Sequence, residues 1–297
     1  MKKGAFALLD CLGFKGIWQK TDATTIIKNF KAIQDTVQST VDKSSPFAVL
    51  QAEKEIRVQV GFLSDTVALS LQFADDNDGE PGYLIENAIR AVAHIIRLYV
   101  MDDPPFGLRG CVTYGAHICE GNFLIGPAVD DAAVHMEQPQ GAFVWLLPNV
   151  RDLLQTFQSR RLSTLADTSD ELIMKILLEV FQDDPDFKDR HIGTGSIQLA
   201  RNAFKRLIQT PHTVFYPMPI KSGGTFNAEI VNPFMVKKTV DEVQTLMKRF
   251  LTVDKGTTID TWQKNQNTIG FLDIAEKAAT RWLQESGNLK AKAKTDF

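Results

Sequence analysis

The stretch "EIRVQVGFLSDTVALSLQF", residues 55–73, limits the fold more than any other part of the chain. Two runs rich in β-branched and apolar residues flank Ser64-Asp65, and so short a pivot makes them the two arms of an antiparallel hairpin. The segments on either side carry a different period. Ile26, Ile27, Phe30, Ile33 and Val37 recur at helical spacing within residues 24–41, and "YLIENAIRAVAHIIRLYV" does the same until "PPFG" stops it. "GAFALLD" near the start reads as a strand. Strand, helix, hairpin, helix and further strands predict an α+β fold, helices packed on a sheet.

Further along, "LRGCVTYGAHICEG" reads as a strand pair, and "NFLIGPAVDDAAVHMEQ" as a helix with Pro127 suited to its first turn. "AFVWLL" is another strand. Residues 151–208 are mostly helical and charged, with "QDDPDF" and "GTG" as loops; "TVFYPMPI", "KSGG" and "TFNAEIV" then make a hairpin within 212–234. Two amphipathic helices close the chain, near 240–251 and 271–285. We expect one domain over 1–297, with a core of 1–150 plus the hairpin, a helical elaboration at 151–208 and C-terminal helices within 238–286. There is no internal repeat.

Composition narrows the function classes. A formal net charge of −3, with acids and bases interspersed, offers no basic stripe for nucleic acid and no polybasic patch for a membrane. "NLKAKAKTDF" reads as a solvated basic tail. "MKKGAFALLD" reaches Asp10 before an apolar stretch of signal-peptide length develops, and no window approaches a membrane span. Three cysteines, Cys11, Cys111 and Cys119, lack metal spacing, which points to reduced thiols in a cytoplasmic protein.

Asp10 raises a specific demand. It ends an apolar strand and leads into the glycine turn "CLGF"; a carboxylate placed there is costly to desolvate unless something positive meets it. The hairpin turn "FLSDTVAL" supplies a second acid, Asp65, which antiparallel pairing would bring beside Asp10. Two carboxylates at one place repel unless cations lie between them, and hard divalent ions with oxygen ligands, Mg²⁺ or Mn²⁺, meet that need. The turn after Asp10 offers backbone N–H groups ahead of a helix, a cradle for phosphate oxygens. Together they suggest two metal ions and a triphosphate.

These residues resemble a known family. "LLDCLGFKG" is similar to the first metal motif of class III nucleotidyl cyclases, "GFLSDTVAL" to the second, and "LRGCVTYGAHICEGNFLIGPAVDDAA" to the Arg-x-Gly strand, Gly-rich hairpin and following helix. The resemblance implies a ferredoxin-like βαββαβ core and a two-metal in-line displacement releasing pyrophosphate. It implies metal ligation by Asp10, Asp65 and the main-chain carbonyl of Cys11, phosphate binding by the amides of Leu12, Gly13 and Phe14, and charge stabilisation by Arg109. It also implies a head-to-tail homodimer with the site between subunits. For Arg109, a purely structural ion pair is the rival reading.

Departures from the family refine the expectation. Purine-specific members carry a Lys where this chain has Gly61, and their second base-reading residue falls on Phe123. Their transition-state Asn and Arg fall on Asp130 and Val134. The pattern looks most like bacterial pyrimidine cyclases of anti-phage signalling, whose cyclic UMP or cyclic CMP is read by a separate effector. Arg57 and Gln59 share a strand face with Gly61 and become candidate readers of the pyrimidine, UTP being favoured over CTP. An inactive nucleotide-sensing or interaction module, or a divergent purine cyclase, is the alternative. His94, His117 and His135 read as packed or surface side chains, Lys15 as solvated, and Asp75, Asp76 and Asp78 as a solvated loop. "GTGS" near Gly193 lacks the Lys of a phosphate loop.

Overall fold

The structure, a computed structural model, describes residues 1–14, 21–42, 55–75, 79–103, 105–120, 123–173, 175, 194–236, 239–253 and 259–295. Strand β1 (Lys2–Leu12) is followed by α1 (Ala23–Asp42), the hairpin β2 (Ile56–Leu63) and β3 (Thr66–Phe73), α2 (Pro81–Met101) and β4 (Gly107–Glu120). These strands lie in the order β2-β3-β1-β4 with every neighbouring pair antiparallel, which is the ferredoxin-like βαββαβ arrangement. Short β5 (Phe123–Ile125) pairs with the end of β4, and α3 (Pro127–His135) follows.

The same sheet is then extended. β6 (Val144–Leu146) lies parallel to β4, and α4 (Pro148–Asp167) and α5 (Thr194–Ile208) precede the hairpin β7 (Thr213–Pro219) and β8 (Thr225–Val231). β8 pairs with β6, and β7 forms the far edge. A short 3-10 turn, α6 (Val240–Phe250) and α7 (Ile259–Thr295) complete the described chain. Among the described residues no helix is long and apolar enough to cross a membrane.

Alternation decides what each sheet face carries. Leu9 of β1 stands opposite Val67 of β3 and Gly110 of β4, and this face receives α1 and α2, with Phe62 of β2 stacked on Phe30 of α1 at 4.4 Å between centroids. The other face carries Phe6, Leu8 and Asp10 of β1 with Cys111 and Thr113 of β4, and α3 lies across it: the Cys111 thiol donates to the Ala132 carbonyl at 3.5 Å. Asp22 caps α1, its carboxylate accepting from the Thr25 amide at 3.0 Å and hydroxyl at 2.8 Å. A reciprocal box of Thr239 and Glu242 caps α6. Helix α7 docks on the extended sheet: Phe271 meets Phe143 edge-on at 5.6 Å, and Asn232 Nδ2 donates to the Ala275 carbonyl.

Four expectations need correction. The part of "LRGCVTYGAHICEG" from Leu108 to Glu120 is one continuous strand, because Gly110 and Gly115 keep extended backbone, and the pairing partner of its end is Phe123–Ile125. β1 does not stop at Asp10 but runs to Leu12, paired throughout with β4. The "GTG" loop is shorter than expected, since α5 begins at Thr194; Gly193 and "QDDPDF" lie outside the described residues. The last helix begins at Ile259, well before Phe271.

Gly110 is a point of close approach between β1 and β4. A Cβ there would lie 2.1 Å from the Leu8 carbonyl oxygen, a backbone atom that cannot step aside. Gly110→Ala should therefore lower stability by about 1–3 kcal/mol or more, read as an earlier urea midpoint. A midpoint unchanged from wild type would refute the close approach of β1 and β4.

Two histidines make stability pH-dependent. His117 is buried, with Nε2 2.8 Å from Ser70 Oγ and Nδ1 3.1 Å from the Gly115 carbonyl, to which it donates. Burial holds its pKa below the ordinary 6.5. Burial and then the Arg90 and Arg161 guanidiniums push His212 down to about 3. Depressed folded values mean stability that is complete above pH 6.5 and lost as pH falls below it. The melting temperature should fall between pH 7 and pH 5, and His117→Gln and His212→Gln should each flatten that slope; parallel slopes in all three proteins would exclude these groups as its source.

Candidate active site

The register of β1 answers the demand raised by Asp10. Its residue stands between Thr66 of β3 and Arg109 of β4, and Arg109 Nη2 donates to Asp10 Oδ2. Both side chains are largely buried, 9% exposed for Arg109 and 15% for Asp10. Arg109 is thus the positive group that meets the carboxylate, the structural pairing that sequence alone had left as one of two readings.

Asp65 arrives from the other side. Leu63 and Thr66 pair directly, so Ser64 and Asp65 make a two-residue turn, with Ser64 at φ 56° in the left-handed region. Because Thr66 opposes Asp10, the turn lies beside the end of β1, and the Cys11 amide donates to the Asp65 carbonyl at 2.8 Å. The expectation that antiparallel pairing brings the two acids to one place therefore holds at the level of backbone hydrogen bonds.

Cys11 itself points to the opposite face, buried under the helices. Burial first, then the charges of Asp10, Asp65 and Asp102, push its thiol far above the ordinary cysteine range. It stays protonated, so only its main-chain carbonyl is available as a metal ligand. Gly13 follows at φ 84°, where an added Cβ would meet nothing within 4 Å; glycine is required there for its backbone conformation alone. Phe14 is buried, its ring 6.2 Å from Phe106. Leu12 still belongs to β1, opposite Gly107, so the turn begins only at Gly13; α1 starts at Ala23, and Lys15 lies outside the described residues.

Sequence reasoning missed Asp102, the residue that ends α2. Its charge is felt by the Cys11 thiol, on the helix-covered face of the sheet, and burial above all raises its pKa above the ordinary carboxylate value. Asn29 Nδ2 donates to it at 2.6 Å. With Phe14, Phe30, Tyr99 and Phe106 it lines a small aromatic cleft between α1 and α2. The signal was present: an acid at a helix C-terminus opposes the helix dipole and needs a separate reason to be there.

Among the expected base readers, Gln59 is half-buried opposite Ser70 and Arg57 is exposed opposite Gln72, both on the face that also carries Asp10. At Gly61 a Cβ would meet only the Ala68 Cβ, at 4.0 Å, so the face is open there. Phe123 is 72% exposed on β5, and Val134 67% exposed on α3, with Asp130 also at the surface. His135 Nδ1 faces the Asp131 carbonyl and its ring meets Trp145, a packing role. Of the acidic loop only Asp75 is described; Asp76 and Asp78 lie outside the described residues.

The donors fit a hard divalent cation. Asp10 keeps Oδ1 beyond its contact with Arg109, Asp65 adds a second carboxylate, and the rest would come from main-chain carbonyl and ligand oxygens. Among the described residues no three His, Cys, Asp or Glu side chains converge to hold a metal.

No protein-family model matches the chain, and no curated protein matches it. Solved structures similar to it include the guanylate cyclase domain of RhGC from Catenaria anguillulae in complex with GTP, at 12% identity over 52% of this chain and 82% of that one, with a TM-score of 0.37. A second is the catalytic core of a rhodopsin-guanylyl cyclase with converted specificity in complex with ATPαS, at 11% identity, 52% and 81% coverage and TM-score 0.37. A class III adenylyl cyclase-like ATP-binding protein from Pseudomonas aeruginosa is matched over 98% of this chain and 72% of that one, at 11% identity and TM-score 0.29. Likenesses of this strength assign neither activity nor substrate.

The acids should differ sharply when neutralised. Relief of repulsion would have made both Asn variants neutral or stabilising, but the observed pairing reverses this for Asp10. Asp10→Asn strands a buried guanidinium and should cost about 3–5 kcal/mol, whereas Asp65→Asn should cost less than about 1 kcal/mol. Equal urea midpoints for the two variants would refute the ion pair.

Proposed function

We propose that the protein is a nucleotidyl cyclase that converts a pyrimidine nucleoside triphosphate, UTP in preference to CTP, to its 3′,5′-cyclic monophosphate and pyrophosphate. The observation that carries this reading is the meeting of Asp10 and the Asp65 turn beside the Gly13 turn, held by the Cys11 to Asp65 backbone bond. Acids beside a phosphate-sized turn of main-chain amides suit a polyphosphate with its counter-cations.

In this reading Asp10, Asp65 and the Cys11 carbonyl hold two Mn²⁺ or Mg²⁺ ions, which supply charge neutralisation at the polyphosphate and acidify the ribose hydroxyl. The amides of Leu12, Gly13 and Phe14 hold phosphate oxygens, and the Arg109 fork takes up charge on the triphosphate. The ribose 3′-oxygen forms its bond to the α-phosphorus as the bond to the bridging oxygen breaks; pyrophosphate leaves and the hydroxyl proton passes to solvent. Arg57 and Gln59 read the base, Gly61 leaving open the space a purine-reading Lys fills in the resembled family. The site is completed in a head-to-tail homodimer, and the product serves as a cytoplasmic second messenger of anti-phage defence read by a separate effector.

The second reading is an inactive nucleotide-sensing module. Exposed Asp130 and Val134, standing where the resembled cyclases carry Asn and Arg, favour it. Incubating the protein with each of ATP, GTP, UTP and CTP and Mn²⁺ separates the two. Cyclic UMP and pyrophosphate are expected, with Asp65→Asn lowering the rate by roughly a hundredfold or more while remaining folded. Base discrimination should collapse in Arg57→Ala or Gln59→Ala. Turnover of no nucleotide would sink the cyclase reading; unaltered discrimination in both variants would remove this face from it.

A further inference from the structure

Resting on the reading just given, we infer that Arg109 is a resident counter-cation for Asp10, displaced when a divalent ion binds there and then taken up by the substrate's phosphates. The position is imposed by the backbone. Asp10 and Arg109 are direct cross-strand partners in adjacent central strands, so the pairing needs no long side-chain search. Both are largely buried, and a buried carboxylate without a cation is costly; the protein therefore supplies one of its own while no metal is bound.

The pairing is also incomplete, and this points to a second state. Only Nη2 reaches the carboxylate, and it reaches a single oxygen, Oδ2. Nε of Arg109 is buried without a hydrogen-bond partner among the described residues, although an arginine fork satisfies itself best by a bidentate grip on two oxygens. The residue is 7% exposed, so water does not readily complete the set. The other carboxylate that senses Arg109, Glu137, is engaged 2.7 Å from Lys221 at the surface. A phosphate group offers what is lacking: several oxygens, spaced for the fork, with charge to match.

Arg109 and the ion thus compete for Asp10, while a polyphosphate gives Arg109 a better partner. Metal and nucleotide should then bind with positive coupling, each removing the obstacle to the other. Arg109 is here a positioning residue for Asp10 before it contacts substrate.

The experiment titrates the full chain with Mn²⁺ in the absence of nucleotide, following the free ion by electron paramagnetic resonance. Arg109→Gln, which removes the competing charge, should bind Mn²⁺ roughly tenfold more tightly than wild type, and Asp10→Asn should lose the site. Equal or weaker binding by Arg109→Gln overturns the inference. Because that variant leaves Asp10 unpaired at a cost to folding, the unaltered protein provides a second readout. Its Arg109 Nε–H resonance, assigned by its loss in Arg109→Lys, should shift with Mg²⁺ and saturate with the rise in melting temperature. A resonance that stays fixed while Mg²⁺ raises the melting temperature also overturns it. Nucleotide turnover separates the two levels: turnover with no tightening in Arg109→Gln refutes the displacement alone, and neither ion binding nor turnover refutes the cyclase reading with it.

Discussion

The ion pair between Asp10 and Arg109 is the constraint on which the rest of the site depends. It joins two central strands at residues that register makes partners, and Gly110, next to the arginine, lets the strands approach so closely that a single methyl would strike the Leu8 carbonyl. A buried pair of this kind is weak evidence for stability, since desolvation offsets much of the attraction. Its larger effect is on specificity. A slip of one residue in β1 would turn Asp10 toward the face where Cys11 lies under the helices, leaving a charge without a partner among apolar side chains.

From that register the neighbouring features follow. With Asp10 opposite Thr66, the Ser64-Asp65 turn has one place to be, and the Cys11 amide closes it. With β1 continuing to Leu12, the chain leaves the sheet at Gly13, which takes a positive φ. Buried Phe14 anchors the far side of the turn against Phe106. The backbone of both acids is thus set by strand pairing, and the start of the amide turn by the end of β1 and the packing of Phe14.

Local signals in the chain were sufficient for the elements, and long-range ones were not. The hairpin around Ser64-Asp65 and helices α1 and α2 were legible because period and turn residues act within a few positions. β4 was read as two strands because Gly115 interrupts its apolar pattern; the interruption is where Ala128 of α3 packs, a contact no local rule contains. Asp10 visibly needed a cation, yet the choice of Arg109 is a fact of register between residues almost a hundred positions apart. Asp102 carried a local signal, an acid at a helix C-terminus, but what it acts on, the Cys11 thiol, exists only once α2 is laid on the sheet.

A second polar contact bears on how much of the site has to move. At the other end of the same sheet face Ser70 of β3 bonds His117 of β4, and Gln72 Nε2 donates to the carbonyls of both Lys2 and His117, tying all three strands together. Between this end and the Asp10 pair lie Phe6, Leu8 and Cys111, apolar and buried beneath α3. The strands are therefore fixed at two points separated by a packed centre, and exchanging the cation on Asp10 releases only one of them. The Ser70 and Gln72 bonds keep the register while the guanidinium changes partner, so the backbone positions of Asp10, Asp65 and Gly13 need not change. What moves is one long side chain, whose stem pivots on a strand that stays in place.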